Sequence, residues 1–137
     1  MPPDDADIET ELGHIETTLS LVEKLLGKRR WSTVERAAMG TFLQNTYGGL
    51  ENLFRCLLAE QGVGSPKGEY WHKKLLQLAF EKKIVPEYIR DDLRNLLLFR
   101  HMHVHGYAHM LDEDRLRQLA SKSLAVCRVA VAALWNR

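Results

Sequence analysis

Phe99 to Tyr107 reads FRHMHVHGY, which puts one arginine, three histidines and a tyrosine into nine residues. Imidazole titrates near neutrality, so it can move a proton at physiological pH or, when neutral, ligate a metal. Guanidinium keeps its charge and offers a planar fork of donors that matches a phosphate. Three readings follow: a metal nest, a solvated face, or the working edge of an enzyme. His101 and His105 stand one helical turn apart, as do His105 and His109. The glutamate of a His-Glu-x-x-His site is absent, with Met102 in its place, and no CxxC pair or carboxylate cluster accompanies the histidines. Gly106 is expected to end the helix before His109. No metal and no cofactor is therefore expected. Nucleophilic catalysis has still less support. Neither Cys56 nor Cys127 has a histidine nearby in sequence, and there is no GxSxG elbow. Gly62, Gly64 and Gly68 lack the spacing of a phosphate loop and follow a helix, so they read as a connector.

Helical periodicity governs the elements that must position these groups. Ile8, Leu12, Ile15, Leu19, Val22 and Leu26 recur at steps of three and four, the signature of one helix face. Gly27 and the cations Lys28, Arg29 and Arg30 close that helix. Ser32 to Glu35 reads as a capping box. It opens a long second helix with Leu43, Tyr47, Leu50, Phe54, Leu57 and Leu58 inward. Gly62 to Gly68 is a loop, and a short third helix is predicted over Glu69 to Lys82. Pro86 suits the first turn of a fourth helix running to about His105. Asp112 to Asp114 favours the start of a fifth, whose stripe is Leu116, Leu119, Leu124, Cys127, Val131 and Leu134. The expected fold is all-α: an antiparallel bundle of about four long helices plus a short one, forming one domain over residues 1–137.

Two charges interrupt the apolar stripes. Arg100 follows Leu97 by three and precedes Val104 by four, and Glu51 lies between Tyr47 and Phe54. Both point toward the core, where charges are rarely found without a partner. They are expected to meet across the bundle, either as an ion pair that fixes helix register or as part of a working site. At about 100° per residue, His105 lies roughly 140° around the helix from Arg100. A site using both needs the helix to unwind near Gly106, or a second subunit to complete it at a dimer seam.

Composition sets outer limits. The net charge is +1, which argues against a nonspecific polycation on nucleic acid and leaves room for a local basic site. No apolar run approaches the roughly 20 residues that span a bilayer. The acidic start MPPDDADIE is unlike a signal peptide, and two cysteines without a pairing motif suit a reducing, cytoplasmic setting.

The pattern R-x4-H-x-Y is complete at Arg100, His105 and Tyr107. It resembles the HEPN superfamily, and within it the HepT-like ribonuclease toxins of prokaryotic toxin–antitoxin pairs. "NTYGGLENLFRCLL" is similar to the family's second helix, with Tyr47, Glu51 and Asn52, and "SPKGEYWHKKLL" to the approach and start of its third, including Trp71 and His72. The likeness runs from about residue 40 to 110. His101 and His103 fall at variable positions of the motif, so it assigns them no role.

This resemblance implies a homodimer that cleaves RNA without a metal, with Arg100 and His105 of both chains lining a shared cleft. It implies support from Glu51, with Asn52 and Tyr47 beside it. It also implies that a nucleotidyltransferase antitoxin silences the toxin by placing AMP on Tyr107. The alternative is a helical HEPN module that binds a nucleotidyltransferase partner or nucleic acid without cutting it.

Overall fold

The structure is a computed structural model that describes residues 5–104 and 112–137. Among these residues the elements are α1 (Asp5–Leu26), α2 (Thr33–Glu60), α3 (Trp71–Glu81), α4 (Arg90–Val104) and α5 (Glu113–Trp135), and there is no strand. The all-α bundle expected from the stripes is what forms, with four long helices and a shorter α3. α2 is the central element and packs against α1, α3, α4 and α5. Its predicted inner residues Leu43, Tyr47, Leu50, Phe54, Leu57 and Leu58 are all buried. Burying one such leucine is worth about 2 kcal/mol, so this one stripe accounts for much of the core.

Local chemistry explains the helix ends. The Ser32 side chain accepts from the Glu35 N–H at 3.1 Å while the Glu35 carboxylate accepts from the Ser32 N–H at 3.0 Å, the reciprocal pattern that caps α2. α2 stops at Gly62, which takes the left-handed φ of +75° and lets the Val63 N–H reach back to the Leu58 carbonyl at 2.9 Å. α3 ends the same way, with Lys83 at φ +57° and the Ile84 N–H on the Ala79 carbonyl. A lysine there carries the Cβ penalty that a glycine avoids.

Two helix starts differ from the sequence expectation. α3 begins at Trp71, not Glu69, because Gly68 is left-handed (φ +99°) and Tyr70 is not helical. Pro86 is extended and stands before a 3₁₀ turn, Glu87–Ile89, so that α4 proper begins at Arg90.

The start of α5 is tied to the link between α1 and α2. The Glu113 carboxylate accepts from the Trp31 N–H at 2.9 Å and from Arg117 Nε at 3.1 Å. Arg117 lies 4.2 Å over the Trp31 ring and donates to the Lys28 carbonyl at 2.7 Å. The Trp31 indole N–H is bonded to the Leu25 carbonyl. The chain from α4 to α5 thus leads to an anchored helix start. His105 and Tyr107 belong to that connection and lie outside the described residues.

The Trp31 N–H, then Arg117, hold the Glu113 carboxyl below its ordinary range. A lowered folded pKa means stability that is present above the unfolded value of about 4.5 and lost as pH falls through the folded value. Glu113→Gln should therefore have a lower urea midpoint than wild type at pH 7, and the gap should narrow as the pH falls below 4.5. A gap that stays constant down to pH 3, on the order of one unit below, would contradict this assignment.

Candidate functional site

The two misplaced charges do meet. Glu51, from the middle of α2, is 2 % exposed, and its Oε1 lies 3.9 Å from Arg100 Nε on α4. That distance is an ion pair without a hydrogen bond. Arg100 Nε is in fact buried and unbonded among the described residues, while the Arg100 side chain as a whole is 24 % exposed. The guanidinium is therefore rooted against the core and reaches outward, a geometry consistent with a long side chain that keeps its charge at the surface.

The close partner of Glu51 is one the sequence analysis named but gave no role. Nδ1 of His72, in the first turn of α3, lies 2.6 Å from Glu51 Oε2. The signal for it was present. His72 precedes Leu75, Leu76, Ala79 and Phe80 by three, four, seven and eight residues, and all four are buried. That spacing puts His72 on the inner stripe of α3, directly where α3 faces α2. Its ring also lies against Trp71, with centroids 3.4 Å apart and a 31° tilt, and Arg55 covers the Trp71 ring at 4.4 Å.

Tyr47, one turn before Glu51, is fully buried, and its hydroxyl makes no hydrogen bond among the described residues. Burial first, and the Glu51 charge second, push the phenol above its ordinary range, while Arg100 pulls it down. It belongs to the same electrostatic cluster. Asn52 is exposed at the rim, where its Oδ1 accepts from Arg55 at 3.4 Å.

Beside this cluster a cleft of about 490 Å³ opens between α1, α2, α3 and α4, and His72 and Tyr47 stand behind its lining. Glu51, Asn52, Arg55, Trp71 and Arg100 all border it. From α1 it also takes Glu11 and His14, which lie beside that helix's apolar stripe of Ile8, Leu12 and Ile15. Gly49 lets α1 come this close: a Cβ there would stand 2.8 Å from Ile15 Cγ1 and 2.9 Å from Glu11 Oε1. A larger hollow, about 970 Å³, lies toward the C-terminal end of α2 near Leu57, Phe80 and Ile84. None of the charged groups just described lines it, so chemistry and not size selects the site.

Among the described residues, no three of His, Cys, Asp and Glu are grouped to hold a metal ion. Cys127 is fully buried, and burial pushes its thiol up to about 12. It is a packing residue, not a nucleophile. No helix among the described residues is long and apolar enough to cross a membrane.

A buried carboxylate that loses its role leaves its partners stranded. Glu51→Ala should lower the unfolding free energy by about 3 kcal/mol, and Glu51→Gln by less, since its amide oxygen still accepts one bond. Urea denaturation checks this. An alanine variant as stable as wild type would mean that the carboxylate is not held in the core.

The model of a family described as HepT-like protein matches residues 38–134, well over half of the chain. No curated protein and no solved structure matches it.

Proposed function

The chain belongs to the HepT-like family, and from that premise we propose that it is the toxin of a type II toxin–antitoxin pair, a metal-independent endoribonuclease. The observation that carries this reading is the guanidinium of Arg100, rooted beside the buried Glu51 and facing an open cleft. Metal-free RNA cleavage needs three things. The ribose 2′-hydroxyl must lose its proton so that its oxygen can attack phosphorus. The bond from phosphorus to the 5′ oxygen must break, with a proton delivered to that oxygen. Charge gathering on the phosphoryl oxygens must be held. His105 supplies proton transfer, worth about 10²- to 10⁴-fold when well positioned. Arg100 holds the phosphoryl charge with paired donors, which a lysine cannot reproduce.

The site is assigned to a homodimer. Leu98 and Met102, one turn apart on α4, are 52 % and 37 % exposed. A two-fold partner covering that face would set the two α4 helices side by side.

Tyr107 follows His105 by two residues. Transfer of AMP from ATP to its phenol oxygen, with release of pyrophosphate, would set a phosphate beside Arg100. That anion would occupy the donors meant for RNA. A nucleotidyltransferase antitoxin is the partner with that chemistry.

Purified wild-type protein is expected to cut RNA equally well with and without EDTA and to run as a dimer by light scattering. His105→Ala and Arg100→Lys should each lose cleavage while keeping the fold by circular dichroism. Binding of RNA without any cutting would favour the non-catalytic module instead. Incubation with the cognate nucleotidyltransferase and ATP should add AMP mass increments to wild type and silence it. Tyr107→Phe should cut RNA, gain no such mass and escape silencing. Increments on the phenylalanine variant would move the acceptor elsewhere.

A further inference from the structure

We propose that His72 is a positioning residue for Arg100: by holding one oxygen of Glu51, it keeps the guanidinium from closing on that carboxylate and leaves its fork for a phosphate. This rests on Arg100 being the phosphate-binding cation of the proposed reaction. Its starting point is an inequality on the page. Glu51 has two basic neighbours, and they are not held alike. His72 Nδ1 is at 2.6 Å, the length of a strong, charge-assisted hydrogen bond. Arg100 Nε is at 3.9 Å, buried and without a hydrogen bond.

An arginine beside a buried carboxylate ordinarily forms a two-bond fork with it. Such a fork would satisfy both groups and would also consume the donors that a ribonuclease needs. Here one oxygen of the carboxylate is taken, and the imidazole that takes it is itself fixed. Its ring lies against Trp71, Arg55 lies over Trp71, and α3 buries Leu75 and Leu76 one turn further on. The carboxylate is thereby held chiefly from the α3 side. Arg100 keeps enough attraction to stay aimed and not enough contact to be captured. Of the three Arg100 guanidinium nitrogens, Nε alone is both buried and unbonded among the described residues. The other two belong to a side chain that lines the cleft.

His72→Phe keeps a ring against Trp71 and removes the donor. His72→Asn keeps a donor, because its amide nitrogen stands where Nδ1 stood. In His72→Phe, Arg100 should move onto Glu51. Its Nε–Hε NMR resonance, assigned by its loss in Arg100→Lys, should shift downfield and exchange slowly with water. Affinity for a 2′-O-methyl oligoribonucleotide, which cannot be cut, should fall about tenfold, the loss of one charge-assisted contact. With cleavable RNA, KM should rise more than kcat falls. His72→Asn should restore both the resonance and the affinity. If His72→Phe does not fold, His72→Ala and His72→Asn give the same comparison.

An unchanged Arg100 resonance and affinity in the donor-less variant would overturn the proposal. So would a His72→Asn protein that binds RNA normally but fails to cut it, since His72 would then be moving a proton itself. If wild type neither binds nor cuts RNA, the proposed reaction falls, and the Arg100 resonance still decides whether His72 governs its position.

Discussion

A carboxylate sealed inside a helical bundle is the constraint around which this molecule is arranged. Glu51 is 2 % exposed, and a charge so placed must be met by donors or it destabilises the fold. α3 meets it with His72 and α4 with Arg100. Those two helices are therefore held in register against α2 by polar contacts as well as by packing. A one-residue slip of either would turn its basic group away and leave the carboxylate alone. Apolar stripes tolerate such slips more easily, because one leucine can often replace another in the same layer. The charge makes the arrangement specific.

Two further features shape the bundle around the cleft, one only two residues from that charge in sequence and one remote from it. Gly49 removes the side chain that would otherwise hold α1 away, so Glu11 and His14 come to the rim. The Trp31, Glu113 and Arg117 cluster then fixes where α5 begins. The connection bearing His105 and Tyr107 therefore joins α4, which carries Arg100 at the cleft, to a helix start pinned against the link between α1 and α2.

Much of this was legible in the residues alone. The period of the apolar positions identified five helices and their inner faces. Ser32 and Glu35 marked one start, and Gly62 one end. The interruption of two stripes by Glu51 and Arg100 was enough to expect that they meet, because a helix face that is otherwise apolar gives a charge nowhere else to go. Helix starts at Pro86 and Glu69 were less legible. A proline with no N–H fits both the first turn of a helix and the extended residue before one, and the left-handed Gly68 delays α3 by two residues.

What the sequence by itself determined was which residues face inward and which of them are out of place there. Periodicity is a property of one helix at a time, so it needs no knowledge of neighbours. Which inward polar groups touch, and how closely, was decided only by tertiary packing. His72 sits on the inner stripe of α3 as plainly as Arg100 sits on that of α4, yet nothing in either helix says that the imidazole, and not the guanidinium, makes the hydrogen bond to Glu51. That choice depends on differences of about an ångström in how α3 and α4 approach α2. Those approaches are set by the volumes of side chains far apart in sequence, from Leu75 and Leu76 to Leu96 and Leu97.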